Sequence, residues 1–393
     1  MIEKICNILN EDDLWIFYTD EGSDKYFKKY ISQGVVGLSV AFVSNKKCKV
    51  LVSGLDEKNI NIDKEIFNST KEFDELFSKI ICEFNYPKNV YLNFGKTPQI
   101  DTLGHGAYLR LENILTNIYG AKNLNLGSST DLIYKIEETN DEDDEKYFRL
   151  AAARANSILE LAFTKIETGM TEKQIADTVK KEVNGIRFKS FYEDENVVSE
   201  DFSWGEPCPI VLVGKNLKLG GHTSPSDTVF KKGDTIYFDF GVKITANGKE
   251  YCSDIQRMGY ALKDGEEKAP KEVQDVFDTL VFAIEEGRKF ANKNVCGYQV
   301  DELVRGIILK KGYPDYNHGT GHAVKDTCHA VGTRLSRKGV FDTDRLLQDT
   351  GIYTIEPRIM IENGGSIEEM IIVKGDRAEF ISPRQEELYL IKG

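Results

Sequence analysis

Thr235–Ile244 reads TIYFDFGVKI, and its alternation decides the fold. Ile236, Phe238, Phe240 and Val242 fall on one face of an extended strand, while Tyr237, Asp239 and Gly241 fall on the other. An acid and a glycine thus share the less apolar face. Asn247-Gly248 then supplies a strong two-residue hairpin signal, and the return strand is Tyr251–Arg257 (YCSDIQR). With that pair as the loop, Asp254 lies opposite Gly241 and Asp239 opposite Gln256, so the two aspartates become diagonal neighbours on one face. Gly241 is expected to leave the space between them open. Two like charges placed so closely repel, and a cation between them would make sense of the arrangement. Taken alone, the pair reads equally well as two aspartates on a solvated strand face.

Outward from this hairpin the pattern becomes helical. Ala155, Ile158, Ala162 and Ile166 step with a helical period, and Gly169 supplies a stop. Thr171 with Gln174 forms a capping-box signal for a helix carried by Ile175, Val179 and Val183. Further helices are expected at about Lys271–Asn292 and Val300–Lys311, the second ended by Gly312. Alternating β-rich stretches lie between and after them, so residues 137–393 read as an α+β domain of helices packed on an antiparallel sheet. The acidic run Glu137–Glu145 (EETNDEDDE) marks its boundary, expected as a solvated helix start that suits the helix dipole. Before it, residues 1–136 mix short β runs (Val50–Ser53, Asn89–Phe94) with charged helical stretches such as Lys71–Phe84, a smaller α/β domain.

Composition narrows the function. The 393 residues carry 51 Lys+Arg against 64 Asp+Glu, a formal charge of −13. That balance argues against a general nucleic-acid or anionic-membrane partner, which needs a basic face. No apolar run of about 18 residues is present, and the opening MIEKICNILNEDDLWIFY lacks the order of a signal peptide, so a cytoplasmic protein is expected. The seven cysteines are scattered without C-x-x-C spacing and are expected to be buried free thiols.

Histidine is scarce: of five, His222, His318, His322 and His329 lie in the C-terminal half, and His105 does not. Asn317–His322 reads NHGTGH, where His318 and His322 would share a face of a strand or bulge. YTIEP at Tyr353–Pro357 and SIEEM at Ser366–Met370 each set a glutamate in an apolar β context, where it needs a partner. Asn363-Gly364-Gly365 suggests a three-residue hairpin loop joining them. That loop would leave Glu356 and Glu368 four positions out of step, roughly 13 Å apart, so strand pairing alone does not bring them to one ion.

Asp239, Asp254, His322, Glu356 and Glu368, in that order within DFG, YCSD, HGTGH, TIEP and SIEE, resemble the five-ligand signature of the pita-bread metallopeptidases. That family includes Xaa-Pro aminopeptidases, Xaa-Pro dipeptidases (prolidases), methionine aminopeptidases and the metal-free creatinases. The resemblance covers about residues 141–393, and the preceding segment looks like the creatinase-type N-terminal domain of the prolyl branch. It implies a pita-bread catalytic domain and two divalent ions, manganese first, with cobalt, zinc and iron(II) as the other candidates. By similarity Asp254 and Glu368 bridge the ions, Asp239 chelates one, and His322 and Glu356 bind the other. Such a pair activates water and polarises the scissile carbonyl, with Glu356 shuttling the proton. His222, His318 and His329 match substrate-side histidines, and His222 and His329 would assist catalysis.

The implied reaction is removal of an N-terminal residue from short peptides, most naturally one preceding proline, by a homodimer. An aminopeptidase without proline preference, a non-catalytic peptide-binding module and a creatinase-like metal-free hydrolase are the alternatives. The chain also departs from the family pattern. Ser366 stands where many prolidases have an arginine, Gln256 replaces a threonine, Arg358 replaces a glycine, and Asp254 follows Asp239 by 15 positions, about four more than usual.

Overall fold

Asn247 and Gly248 both take positive φ, 51° and 74°, as a primed two-residue turn requires. The register around them is the one that turn dictates. Lys243 faces Cys252 and Ile244 faces Tyr251; further along, Phe240 faces Ile255 and Asp239 faces Gln256. The hairpin does not stay in one sheet. Its outer part, Val242–Ala246 and Lys249–Cys252, joins Val197–Phe202 in a three-stranded sheet. Its inner part, Thr235–Phe240 and Ile255–Ala261, lies between Ile210–Val213 and Tyr389–Ile391 in a four-stranded sheet. The chain changes sheet at Gly241 on one strand and at Ser253-Asp254 on the other. There a Cβ on residue 241 would sit 1.8 Å from the Ser253 carbonyl oxygen. Gly241 is therefore required by backbone approach, and the space expected to stay open beside it is filled by Ser253.

The computed structural model describes residues 1–120, 124–183, 185, 191–219 and 223–392. The chain divides into two compact units, Met1–Ile136 and Glu137–Gly393. In the second, the helix Glu142–Phe163 lays Ala151, Ala155, Ile158 and Ala162 into a core with Phe238, Phe240 and Ile244. Thr171 and Gln174 form the expected capping box of the helix Glu172–Lys180. The helices Lys271–Phe290 and Gly297–Lys310 build a second core, where Val276, Leu280, Ile284, Val300 and Val304 meet Tyr353, Ile355 and Ile371.

The second hairpin corrects the sequence reading. Ile355 faces Glu369, Arg358 faces Ser366 and Ile359 faces Gly365, a single register that sets Glu356 opposite Glu368. The loop is Met360–Gly364. Asn363 supplies its positive φ of 53°, while Gly365 belongs to the ladder and not to the turn. The four-position offset disappears.

The acidic run also differs from expectation. Asp141 caps the helix Glu142–Phe163 in a capping box with Asp144, but Glu137, Glu138 and Asp144 are buried. Glu138 accepts from Thr333 N at 2.6 Å and Tyr353 Oη at 2.9 Å. A run that reads as a solvated face is in part an internal brace.

The first unit is a six-stranded mixed sheet, with Asp13–Thr19 between Ser39–Val43 and Asn89–Leu92. Helix Thr70–Glu83, capped by Ser69, packs Phe73, Phe77, Ile80 and Ile81 against Val40, Phe42 and Leu51. All seven cysteines are free, but only Cys208, Cys252 and Cys328 are buried, and Cys82 is exposed. Among the described residues no helix is long and apolar enough to cross a membrane.

Candidate metal centre

Two hairpins far apart in sequence are stitched together at one bridge. Gln256 N donates to Glu368 O at 3.3 Å and Glu368 N to Gln256 O at 3.2 Å. Because Asp239 faces Gln256 and the second hairpin's register sets Glu356 opposite Glu368, one row runs Asp239, Gln256, Glu368, Glu356 across four strand segments. Asp254 sits in the two-residue break before Ile255–Ala261 and is buried. Pro357, which has no N–H to give a ladder, follows Glu356 where the strand is interrupted.

The histidine segment runs along the other edge of Ile352–Ile355. Thr354 N donates to His322 O at 2.9 Å and Glu356 N to Thr320 O at 2.7 Å. Gly321 permits this, since a Cβ there would lie 2.0 Å from Thr354 O. The segment is held by isolated bridges at Gly321 and Ala323 and not by a regular strand.

All five sequence-predicted ligands converge. His322 Nε2 lies 3.5 Å from Asp254 Oδ2, 3.8 Å from Glu356 Oε1 and 4.0 Å from Glu368 Oε1. Donor atoms of His322, Glu356 and Glu368 fall within 4.8 Å of one another, as do those of Asp239, Asp254 and Glu368, so Glu368 is common to both groups. His322 Nδ1 faces Ala323 O at 3.2 Å, a carbonyl that can only accept, so Nδ1 carries a proton and Nε2 is the ring nitrogen that faces the carboxylates.

The electrostatics explain what such a cluster needs. Asp254 Oδ1 and both Glu368 carboxylate oxygens are buried without a hydrogen-bond partner, which is costly for charged oxygens. Burial, reinforced by Asp254 and Glu356, holds the Asp239 carboxyl well above the usual carboxylate range. Burial and then Asp254, Glu356 and Asp239 do the same to Glu368. Burial pushes Glu356 up to about 7, with His322 opposing. For His322, burial favours the neutral ring, but the Asp254 hydrogen bond and the Glu356 and Asp254 charges outweigh it and raise the pKa. Four carboxylates and one imidazole, with orphaned oxygens converging, fit hard or borderline divalent cations.

The remaining predicted residues separate. His329 packs edge-on against His322 at 4.4 Å between ring centres and joins Asp254, His322 and Cys328 in a further group of donor atoms within 4.8 Å. His318 belongs to none of these groups. Its Nδ1 faces Gly319 O at 2.7 Å, its Nε2 is buried without a partner, and burial lowers its pKa to about 4. It is therefore a neutral ring with Nε2 as an acceptor. His222 lies outside the described residues.

Three participants escaped the sequence reading or appeared in it only as departures. Cys328, buried and free as expected, places Sγ 2.7 Å from Asp254 Oδ2; its position next to His329 was the available signal. Gln256 Nε2 reaches Glu356 Oε2 at 3.1 Å and Asp239 Oδ2 at 3.4 Å. Arg358 is buried beside the same carboxylates.

Residues 146–375 match the family described as metallopeptidase family M24. The chain belongs to metallopeptidase family M24. Among curated relatives, this M24 chain is 34% identical over 177 residues to a Mycoplasma genitalium protein provisionally named Xaa-Pro aminopeptidase, covering 44% of this chain and 46% of that one. It is 27% identical over 270 residues to a provisionally named dipeptidase of Bacillus subtilis, covering 67% of this chain and 66% of the other. The chain thus spans about half to two thirds of these relatives' lengths.

Two solved structures share the fold of the M24 chain over nearly all of both chains. The X-Pro aminopeptidase of Thermotoga maritima gives a TM-score of 0.65 at 20% identity, covering 100% of this chain and 99% of that one. The Xaa-Pro dipeptidase of Bacillus anthracis gives 0.64 at 22%, covering 99% and 98%. The architecture is the two-domain α+β arrangement of the pita-bread enzymes.

Proposed function

We propose that this M24 chain is a dinuclear metal-dependent exopeptidase that hydrolyses the N-terminal peptide bond of short Xaa-Pro peptides. The observation that carries the reading is the row of Asp239, Glu368 and Glu356, completed by Asp254 and His322, with buried oxygens that have no protein partner. The division into an Asp239, Asp254, Glu368 group and a His322, Glu356, Glu368 group supports two ions, which these five residues would hold, with Glu368 common to both groups. The names of the relatives support the proline preference.

Bound divalent cations, manganese first, would polarise the scissile carbonyl and make water acidic enough to attack it at neutral pH. The chain supplies the rest. Glu356, whose Oε1 lies 3.8 Å from His322 Nε2 within the cluster, takes the proton of the attacking water and returns it to the leaving amine. Gln256 Nε2 holds Glu356 Oε2 at 3.1 Å, so that Oε1 faces His322 and the reacting space. His329 and His222 donate to the substrate carbonyl as it gains negative charge, and His318 presents Nε2 as an acceptor.

Metal analysis after manganese loading should give two ions per chain. A panel of Xaa-Pro and Xaa-Ala peptides of two to five residues should show cleavage of the proline series. Equal cleavage of both series removes the proline assignment, and a wild type that takes up no divalent ion removes the whole reading.

A further inference from the structure

The buried arginines of the second unit can be compared. Arg154 pairs with Glu200 at 2.9 Å, Arg257 with Glu369 at 3.2 Å and Arg305 with Asp301 at 2.7 Å. Arg358 is the exception. It is only 4% exposed, yet no carboxylate among the described residues pairs with it, and its Nε and Nη2 have no hydrogen-bond partner. Its guanidinium carbon lies 4.4 Å from the centre of the Tyr237 ring, which fixes the plane of the group. Nearby carboxylates balance part of its charge, but the two N–H groups keep donor capacity that no protein atom fills, and an unfilled buried donor is costly.

The position of Arg358 says what partner would fill it. Alternate residues of an extended segment share a face, so Arg358 lies one step beyond Glu356 on the face that carries the carboxylates. Asp239, Glu356 and His318 all feel its charge. Directly across the ladder stands Ser366, uncharged and with its hydroxyl turned back onto Pro357 O at 3.1 Å, so the facing residue does not compete for the guanidinium. Nε–H and Nη2–H form one edge of the planar group, the parallel fork that grips both oxygens of a carboxylate.

The spacing selects a particular carboxylate. Two residues along a strand separate Glu356 from Arg358 by about 7 Å. In a dipeptide the free carboxylate lies one residue, about 3.5 Å, beyond the scissile carbonyl, and a charge-assisted hydrogen bond adds about 2.8 Å. In a longer peptide an uncharged amide occupies that place.

We propose that Arg358 is a specificity-determining residue that binds the free α-carboxylate of the residue following the scissile bond, so that dipeptides are the preferred substrates. This rests on the exopeptidase reading above.

The test compares an Xaa-Pro dipeptide with its C-terminal amide and with the Xaa-Pro-Ala tripeptide, on manganese-loaded wild type, Arg358→Met and Arg358→Lys. Wild type should favour the free dipeptide over the amide by roughly tenfold to a hundredfold in kcat/KM, the range of a hydrogen-bonded charge, mostly through KM. In Arg358→Met the acid-to-amide ratio should fall toward one, and Arg358→Lys should restore only part of it. Equal cleavage of acid and amide by wild type overturns the proposal. So does an Arg358→Met variant that slows both equally, which marks a purely structural role. If wild type cleaves neither, the exopeptidase reading fails. Calorimetric titration with acid and amide then still decides the role of Arg358, tighter binding of the acid by wild type alone supporting it and equal binding refuting it.

Discussion

Replacing Arg257 with Met tests whether the metal row is held from behind. Arg257 is fully buried. Its Nε donates to Asn156 Oδ1 at 2.8 Å, and its Nη1 donates to the carbonyls of Gln256 at 2.9 Å and Glu368 at 3.0 Å. Nη2 donates to Glu369 Oε2 at 3.2 Å and to the Pro383 carbonyl. Glu369 in turn accepts from Ser382 Oγ at 2.6 Å and Gln385 N at 2.9 Å. The substitution therefore strands a buried carboxylate and takes a donor from four further acceptors, Asn156 Oδ1 and the carbonyls of Gln256, Glu368 and Pro383. Breaking a buried ion pair costs about 3–5 kcal/mol, and each kcal/mol moves the melting point of a domain this size by about 2–4 °C, so a loss on the order of 10 °C is expected. Burial already raises the Glu369 carboxyl, with Arg257 pulling it down. Without the arginine it rises further, so the variant's deficit should be largest at high pH and shrink as pH falls. The assay is urea unfolding of wild type, Arg257→Met, Glu369→Met and the double variant. A coupling energy of about 2 kcal/mol is expected. If the double variant equals the sum of the singles within about 0.5 kcal/mol, the two residues act independently and the closed-cluster argument is wrong. Because Nη1 holds the Glu368 carbonyl, the single variant should also bind manganese about tenfold to a hundredfold more weakly, measured by calorimetry.

Asp254→Ala should abolish manganese uptake while leaving a folded protein, read by metal analysis beside circular dichroism; retained stoichiometric binding would remove Asp254 from the centre. Gly241→Ala drives a Cβ to 1.8 Å from Ser253 O and should destabilise by more than about 3 kcal/mol while weakening metal binding, since that corner sets Asp239 against Asp254; a near-neutral melt would contradict it. Burial pushes Glu138 up to about 7, so its contribution to stability is present below its unfolded value of about 4.3 and is lost as pH rises through about 7. Glu138→Gln should therefore gain on wild type across that window, by on the order of 3 kcal/mol, and parallel pH–stability curves for the two would refute the shift.

Much of the site was legible because its elements are announced by residues with a single structural use. Asn247-Gly248 carries its own backbone geometry, and from it the register of Asp239 and Asp254 follows without further information. The second hairpin was not legible in the same way. Asn363-Gly364-Gly365 looks like a complete turn, yet Gly365 pairs with Ile359, and no local pattern marks Met360 as the start of the loop. Nor does anything local announce that Gln256 bonds to Glu368, because that pairing joins segments more than a hundred residues apart. The motifs supplied which residues matter. What Arg358, Gln256 and Cys328 do depends on which strands meet, and side-chain type alone does not encode that.

The bridge between Gln256 and Glu368 also bears on how the protein acquires its centre. Each hairpin is local in sequence and can form early, but neither alone holds more than two of the four carboxylates. The ligand set is complete only after a long loop has been closed, the slow and entropically costly step of folding. Either half alone offers a cation at most two of the carboxylates, so a cation that binds the full cluster would by mass action draw the population toward the assembled state. Metal loading becomes a readout of completed topology: a chain whose hairpins form without docking would keep most of its secondary structure and bind nothing.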